Sequence, residues 1–190
     1  MTKIKICGLK RKEDIEIVNK YLPDYIGFVF AENRKRTINV STAKELYNML
    51  NHNIKAVGVF LNQDIDYINK CLPYIDLIQL HGNEDERYIE ELKKITNKPI
   101  INAYRDDNNA DYLLLDNIDP GSGVPFDWNT IERYNKPVFL AGGININNIQ
   151  EALMINPYCI DCSSGVETDG LKDELKIKEI ISKVRLYDKG

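Results

Sequence analysis

The first candidate for chemistry in this chain is a thiol. In Lys3-Ile4-Lys5-Ile6-Cys7-Gly8, extended backbone puts Lys3, Lys5 and Cys7 on one face and Ile4 and Ile6 on the other, so the cysteine shares its face with two cations. A cation beside a thiol favours the reactive thiolate. The competing account makes Cys7 a small buried hydrophobe at a strand end. Arg34-Lys35-Arg36 reads either as a solvated charge run or as a planar guanidinium poised for a bidentate contact with a carboxylate or phosphate. His81 stands without a second ligand beside it, which suits a structural or substrate-orienting group better than a metal site. Asp127 opens a short predicted helix, either as an ionised capping carboxylate or as a general acid that holds a proton at neutral pH. Asp116 is its rival for the acid role.

The totals narrow the field. A net charge of −4 disfavours a duplex nucleic-acid binder or a polybasic membrane protein. Hydrophobic residues at 43% and charged residues at 28% are ordinary for a soluble domain, and 190 residues suit a single domain over 1–190. No apolar run approaches the roughly 20 residues of a membrane helix. The opening MTKIKICGLKRKED turns charged before a signal-peptide core could form. The expectation is a cytoplasmic protein with neither nucleic acid nor membrane as partner. The four cysteines, Cys7, Cys71, Cys159 and Cys162, are too sparse for a disulfide scaffold. Cys159 and Cys162 form a C-x-x-C, but a three-residue offset within a strand sends the thiols to opposite faces, and no second Cys/His pair completes four ligands.

The elements that position these groups follow from periodicity. Apolar runs predict strands at Lys3–Cys7, Tyr25–Phe30, Lys55–Phe60, Ile75–Leu80, Pro99–Ala103, Asp111–Asp116, Pro137–Ala141 and Cys159–Cys162. Helical spacing predicts helices at Lys12–Leu22, from a Ser41 cap to Leu50, from Asp64 to Leu72, Glu84–Ile95, Asp127–Tyr134, from an Asn145 cap to Met154, and Lys172–Leu186. Asn19-Lys20-Tyr21-Leu22-Pro23 and Asn69-Lys70-Cys71-Leu72-Pro73 repeat one helix-stop-strand unit. The short segment Tyr104–Ala110 leaves the fifth crossover without its helix. Eight strands alternating with helices define the α/β class, and their number favours a closed (β/α)8 barrel over an open sheet.

In such a barrel, chemistry collects where strands end. Cys7, Arg34–Arg36, Asn62, His81, Asp116, Asp127, Gly142-Gly143 and Asp161 with Ser163-Ser164-Gly165 then fall at one end. The loops after strands 7 and 8 are where barrels commonly hold phosphate, because glycine lets backbone N–H groups approach and a helix N-terminus favours an anion. Gly142, Gly143, Ser164 and Gly165 supply such a site; the plainer account makes them helix caps and tight turns.

Taken in order, Lys5-Ile6-Cys7-Gly8, Gly27-Phe28-Val29-Phe30, Val57-Gly58-Val59-Phe60, Gln79-Leu80-His81-Gly82, Leu114-Leu115-Asp116, Gly121-Ser122-Gly123, Phe126-Asp127-Trp128, Ala141-Gly142-Gly143 and Asp161-Cys162-Ser163-Ser164-Gly165-Val166-Glu167 closely resemble the phosphoribosylanthranilate isomerase family of tryptophan biosynthesis. The resemblance spans nearly the whole chain. It implies an Amadori rearrangement of N-(5-phosphoribosyl)anthranilate to 1-(2-carboxyphenylamino)-1-deoxyribulose 5-phosphate, with no metal and no organic cofactor. It further implies Asp127 as general acid, Cys7 as general base and Arg36 on the anthranilate carboxylate. His81 and Asp161 would sit beside the substrate, and Gly142, Gly143, Ser164 and Gly165 around its phosphate. The protein would be a monomer or a homodimer. Arg34 stands where the family commonly has Ser, Ser122 replaces a frequent Thr, Pro120 a frequent Gly, and Cys162 a common Val. Two other readings share the phosphate loops: a pentose-phosphate epimerase, and a non-catalytic phosphosugar-binding barrel in which Cys7 and Asp127 would not matter.

Overall fold

The structure, a computed structural model, describes residues 1–103, 109–116 and 134–187. Eight strands close into a parallel barrel in sequential order: β1 Lys3–Cys7, β2 Tyr25–Val29, β3 Lys55–Phe60, β4 Leu77–Leu80, β5 Ile100–Ala103, β6 Tyr112–Leu115, β7 Val138–Leu140 and β8 Cys159–Cys162. The closing pair is β1 with β8, in the register Lys5 opposite Asp161. Between strands run the helices α1 Lys12–Tyr21, α2 Val40–Met49, α3 Ile65–Cys71, α4 Glu86–Lys93 and α5 Ile149–Met154, and α6 Glu174–Tyr187 closes the chain. The expected (β/α)8 barrel is therefore the fold.

Each strand divides its side chains between two cores. Ile4, Ile6, Ile26, Phe28, Phe60, Ile78 and Ile100 point outward and bury against Ile15, Val18, Leu46, Ile68, Ile89, Ile177 and Ile180 of the helices. Tyr25, Val57, Leu77, Ile101, Phe139 and Cys159 point into the barrel. Parallel strands covered on both faces need apolar residues in both registers, which is why they read as nearly continuous hydrophobic runs. Cys159 belongs to the inner cluster and Cys162 to the outer one, the opposite-face arrangement that the three-residue offset requires.

Several helices start elsewhere than their capping residues suggested. α2 is capped by Asn39, whose side chain accepts from the Thr42 N–H at 2.8 Å, so Ser41 lies inside the first turn. α4 is capped by Asp85, which accepts from the Tyr88 N–H at 2.9 Å, releasing Glu84 for another task. Asn145 opens a side-chain turn instead of a helix, accepting from the Asn147 N–H at 2.9 Å, and α5 begins four residues later at Ile149. At the end of the chain, a small antiparallel hairpin of β9 Glu167–Thr168 and β10 Leu171–Lys172 precedes α6. Lys172 is thus a buried strand residue, not a first-turn lysine. β5 and β6 are hydrogen-bonded neighbours, but the expected absence of a helix between them falls largely on 104–108, outside the described residues, as does the expected helix from Asp127.

Candidate active site

Cys7 ends β1, and the chain turns immediately at Gly8, whose φ of +85° is one that L side chains rarely adopt. Two glycines shape its surroundings. Gly27 lies opposite Cys7 on β2, and a Cβ there would come within 2.6 Å of the Cys7 Sγ. A Cβ on Gly8 would collide with the Arg36 side chain. The first glycine therefore houses the thiol, and the second lets Arg36 lie across the turn beside it.

Behind the thiol, a chain of polar side chains crosses the barrel. The Lys5 ammonium is fully buried and donates to Asp161 Oδ2 at 2.6 Å and to Gln79 Oε1 at 2.7 Å. Lysine can only donate, so Gln79 must turn its amide nitrogen the other way, towards His81 Nδ1 at 2.9 Å. That nitrogen accepts, which leaves the imidazole proton on Nε2, the atom 3.6 Å from Asp116 Oδ2. Burial, with the positive charges of Lys5 and Arg34, takes the His81 pKa down to about 4. The ring is neutral at pH 7, and its approach to Asp116 is not an ion pair. The second carboxylate oxygen of Asp161, Oδ1, is buried without a hydrogen-bond partner.

The same electrostatics correct the expectation for Cys7. Burial raises the thiol's pKa above its usual value, and the opposing pull of Lys5 does not overcome it. The strand pattern correctly put a cation on the cysteine's face, but not the loss of water around both groups, which penalises the thiolate. Lys5 itself stays charged: burial would lower its pKa, but Asp161, Cys7 and Cys159 together more than reverse that.

Arg36 is held side-on. Its Nε donates to Glu167 Oε1 at 2.7 Å and its Nη2 to Glu167 Oε2 at 2.6 Å. Lys172 donates to the same Oε1 at 2.7 Å and to the Ser163 carbonyl at 3.0 Å. Burial alone would raise the Glu167 pKa, but these two cations outweigh it and bring it to about 2. Arg34 lies at the exposed tip of the same loop, beyond Asn33 with its φ of +56°.

The two glycine loops meet. Gly142 and Gly143 both have positive φ, +92° and +68°. Ser164 and Gly165 open a short 3₁₀ helix, Ser164–Val166, whose first N–H groups lack partners within the helix. A Cβ on Gly165 would clash with the Ile144 carbonyl and lie 2.9 Å from the Asn145 Cβ, so the loop after β8 rests on the backbone of the loop after β7. Glu84 ties a third pair of loops, accepting from the N–H groups of Asn62 at 2.6 Å and Gly82 at 2.7 Å. Cys7, Arg36, His81, Asp161, Gly142, Gly143, Ser164 and Gly165 thus all stand in the upper barrel or on the loops above it; Asp127 lies outside the described residues. Among those residues, no group of three or more His, Cys, Asp or Glu side chains could hold a metal ion, and no helix is long and apolar enough to cross a membrane.

Gln79, Glu84, Glu167 and Lys172 are not among the site residues that the sequence points to, and Lys5 enters there only as a cation on the face of Cys7. Gln79 and Glu167 fall within runs that carry the family resemblance. Glu84 and Lys172 read as helix residues, and only tertiary contacts reveal them.

A parallel (β/α)8 barrel with a thiol, a clamped arginine and paired glycine loops at one end belongs to the class of barrel enzymes that act on small anionic substrates. Residues 4–183 match the family model described as N-(5'phosphoribosyl)anthranilate (PRA) isomerase. The N-(5'-phosphoribosyl)anthranilate isomerase of Endomicrobium trichonymphae is 48% identical, over 97% of this chain and 99% of that protein. The crystal structure of phosphoribosyl anthranilate isomerase from Thermotoga maritima superposes with a TM-score of 0.87 at 30% identity, covering 97% of this chain and 99% of that one. A second solved isomerase, in complex with reduced 1-(o-carboxyphenylamino)-1-deoxyribulose 5-phosphate, gives 0.82 at 29% identity over 97% and 99%. The chain belongs to the phosphoribosylanthranilate isomerase family, enzymes of tryptophan biosynthesis that isomerise an aminoaldose to an aminoketose.

Proposed function

We propose that the chain catalyses the Amadori rearrangement of N-(5'-phosphoribosyl)anthranilate, with Cys7 as general base and Asp127 as general acid. Asp127 would protonate the ribose ring oxygen and open the ring to a Schiff base. Cys7 would then take the proton from C2, and the resulting enolamine would tautomerise to the ketone. Arg36 would meet the anthranilate carboxylate, and Gly142, Gly143, Ser164 and Gly165 the phosphate. Asp161 Oδ1 would accept a sugar hydroxyl, because a buried carboxylate oxygen without a donor is costly and a bound hydroxyl relieves it.

The observation that carries this reading is the setting of Cys7: a thiol at a strand end, given room by Gly27, with Arg36 laid across Gly8 on one side and Ser163 of the β8 loop on the other, donating to the Cys7 carbonyl at 3.2 Å. Lys5 is the fixed cation that stabilises the thiolate when it forms. A thiol with a raised pKa is a stronger base, but less of it is deprotonated at pH 7. Turnover is therefore expected to climb with pH through the neutral and mildly alkaline range.

The test is the fall in anthranilate-type fluorescence on mixing the protein with freshly generated phosphoribosylanthranilate. Cys7→Ser and Asp127→Asn should each lower kcat by roughly 10²–10⁴-fold, the usual worth of a general acid or base, with the fold intact by circular dichroism. A wild-type rate no faster than the uncatalysed reaction, or variants as active as wild type, would overturn the assignment.

A further inference from the structure

We propose that Glu167 and Lys172 are positioning residues for substrate recognition, holding Arg36 so that one edge of its guanidinium faces the carboxylate of the substrate; this rests on the reading above that Arg36 takes that group. A guanidinium offers five N–H donors along two usable edges. Glu167 occupies the inner edge, made of Nε and one N–H of Nη2. The outer edge, Nη1 with the other N–H of Nη2, has the geometry for a second bidentate carboxylate.

An arginine already paired with a carboxylate would ordinarily be a poor receptor for another, since the pair is close to neutral. Lys172 removes that objection. Its buried ammonium shares Glu167 Oε1 with Arg36 at 2.7 Å and is fixed by the Ser163 carbonyl at 3.0 Å. The three groups together carry one net positive charge, which matches one incoming carboxylate. Placement supports the same role. Glu167 and Lys172 face each other across the β9–β10 hairpin, which follows directly on the 3₁₀ turn of Ser164 and Gly165. The loop proposed to hold phosphate and the clamp on Arg36 are therefore continuous. A substrate engaging both would have the distance between its two anionic ends checked by one rigid segment.

The experiment measures calorimetric affinities of the full chain for two probes. One is reduced 1-(2-carboxyphenylamino)-1-deoxyribulose 5-phosphate; the other is the same compound without the ring carboxylate. Wild type should prefer the carboxylated probe, and Arg36→Met should remove that preference. Glu167→Gln should weaken the carboxylated probe about tenfold, the worth of one charge-assisted hydrogen bond, and change the other by less than about twofold. Glu167→Asp keeps the charge and should recover part of the loss; it also serves if Glu167→Gln fails to fold. Equal weakening of both probes would mean a merely structural role, and full retention of the preference in both Glu167 variants would mean none. In either case, with Arg36→Met still erasing the preference, the reading of Arg36 stands and this proposal alone falls. A wild type indifferent to the carboxylate would overturn both.

Discussion

The two ends of the barrel interior are built from opposite materials. At the end where the strands begin, Tyr25, Tyr112, Phe139 and Tyr158 form a plug of rings, with centroids 5.4 Å apart for Tyr25 and Phe139, 5.2 Å for Tyr112 and Tyr158, and 5.6 Å for Phe139 and Tyr158. At the other end, Lys5, Asp161, Gln79 and His81 run as a hydrogen-bonded chain beneath Cys7. The floor contributes through buried area and tilted ring contacts, which tolerate no voids. The upper layer contributes through charges that must be matched, because each is costly when alone. Cysteine shows the contrast. Cys159 sits among the floor rings, where burial drives its thiol far up, whereas Cys7 stands at the polar end, its thiol seated over Gly27.

If that division holds, substitutions at the two ends should cost similar stability and different activity. Lys5→Met leaves Asp161 buried without its cation and should destabilise by about 3–5 kcal/mol. It should also slow the folded enzyme, having removed the cation with the strongest pull on the Cys7 thiol. Phe139→Ala, at a fully buried floor position, should cost about 3–5 kcal/mol through the cavity it leaves, with kcat per folded molecule close to wild type. Chemical denaturation and active-site-normalised rates measure the two quantities. A floor variant that loses kcat as Lys5→Met does would show the plug and the site to be coupled.

A smaller effect tests the neutrality of His81. Its folded pKa of about 4 lies below the ordinary 6.5, so between those values the unfolded chain binds a proton that the folded one refuses. Stability is fully present above pH 6.5 and falls as the pH drops towards 4, by about 3 kcal/mol in all. His81→Gln should lack this component, so the gap between variant and wild type should shift in the variant's favour as pH falls from 7 to 4 in urea titrations. Glu167, held at about 2, loses its contribution mainly below this window. A gap that instead moved in wild type's favour as pH fell towards 6.5 would mean that His81 is protonated in the fold and paired with Asp116, and a constant gap would mean that the fold leaves its pKa unshifted.

How much of this was legible in the sequence follows from the same division. Strand alternation alone separated Ile4 and Ile6 from Lys5 and Cys7 and set Cys159 against Cys162, because a pleat has a strict period of two. Gly142-Gly143 marked the loop after β7, where both residues have positive φ, and Gly165 the loop after β8, where a side chain would strike the Ile144 carbonyl. What could not be read was pairing across the barrel. Lys5 and Asp161 are 156 positions apart, and their contact exists only because β1 closes on β8. The helix starts missed at Asn39, Asp85 and Asn148 failed for a local reason: a second polar residue stands near each true start, Ser41 within the first turn of α2, Glu84 just ahead of Asp85, and Asn145 in a side-chain turn before Asn148. Glu84 and Lys172 were read as helix residues because nothing in their spacing announces a loop clamp.

The smallest effect bears most directly on what the floor is made of. The hydroxyls of Tyr25 and Tyr158 share a hydrogen bond of 2.9 Å, a polar link within a plug made mostly of apolar ring surface. Tyr25→Phe removes it and keeps the ring against Phe139. The remaining Tyr158 is only partly buried, so water can replace the lost partner, and the expected cost is about 0.5–1 kcal/mol with an unchanged denaturant slope. A loss above about 2 kcal/mol would be that of a donor or acceptor stranded without water. The floor would then be a polar network in its own right, and the two ends of the barrel would differ in charge but not in kind.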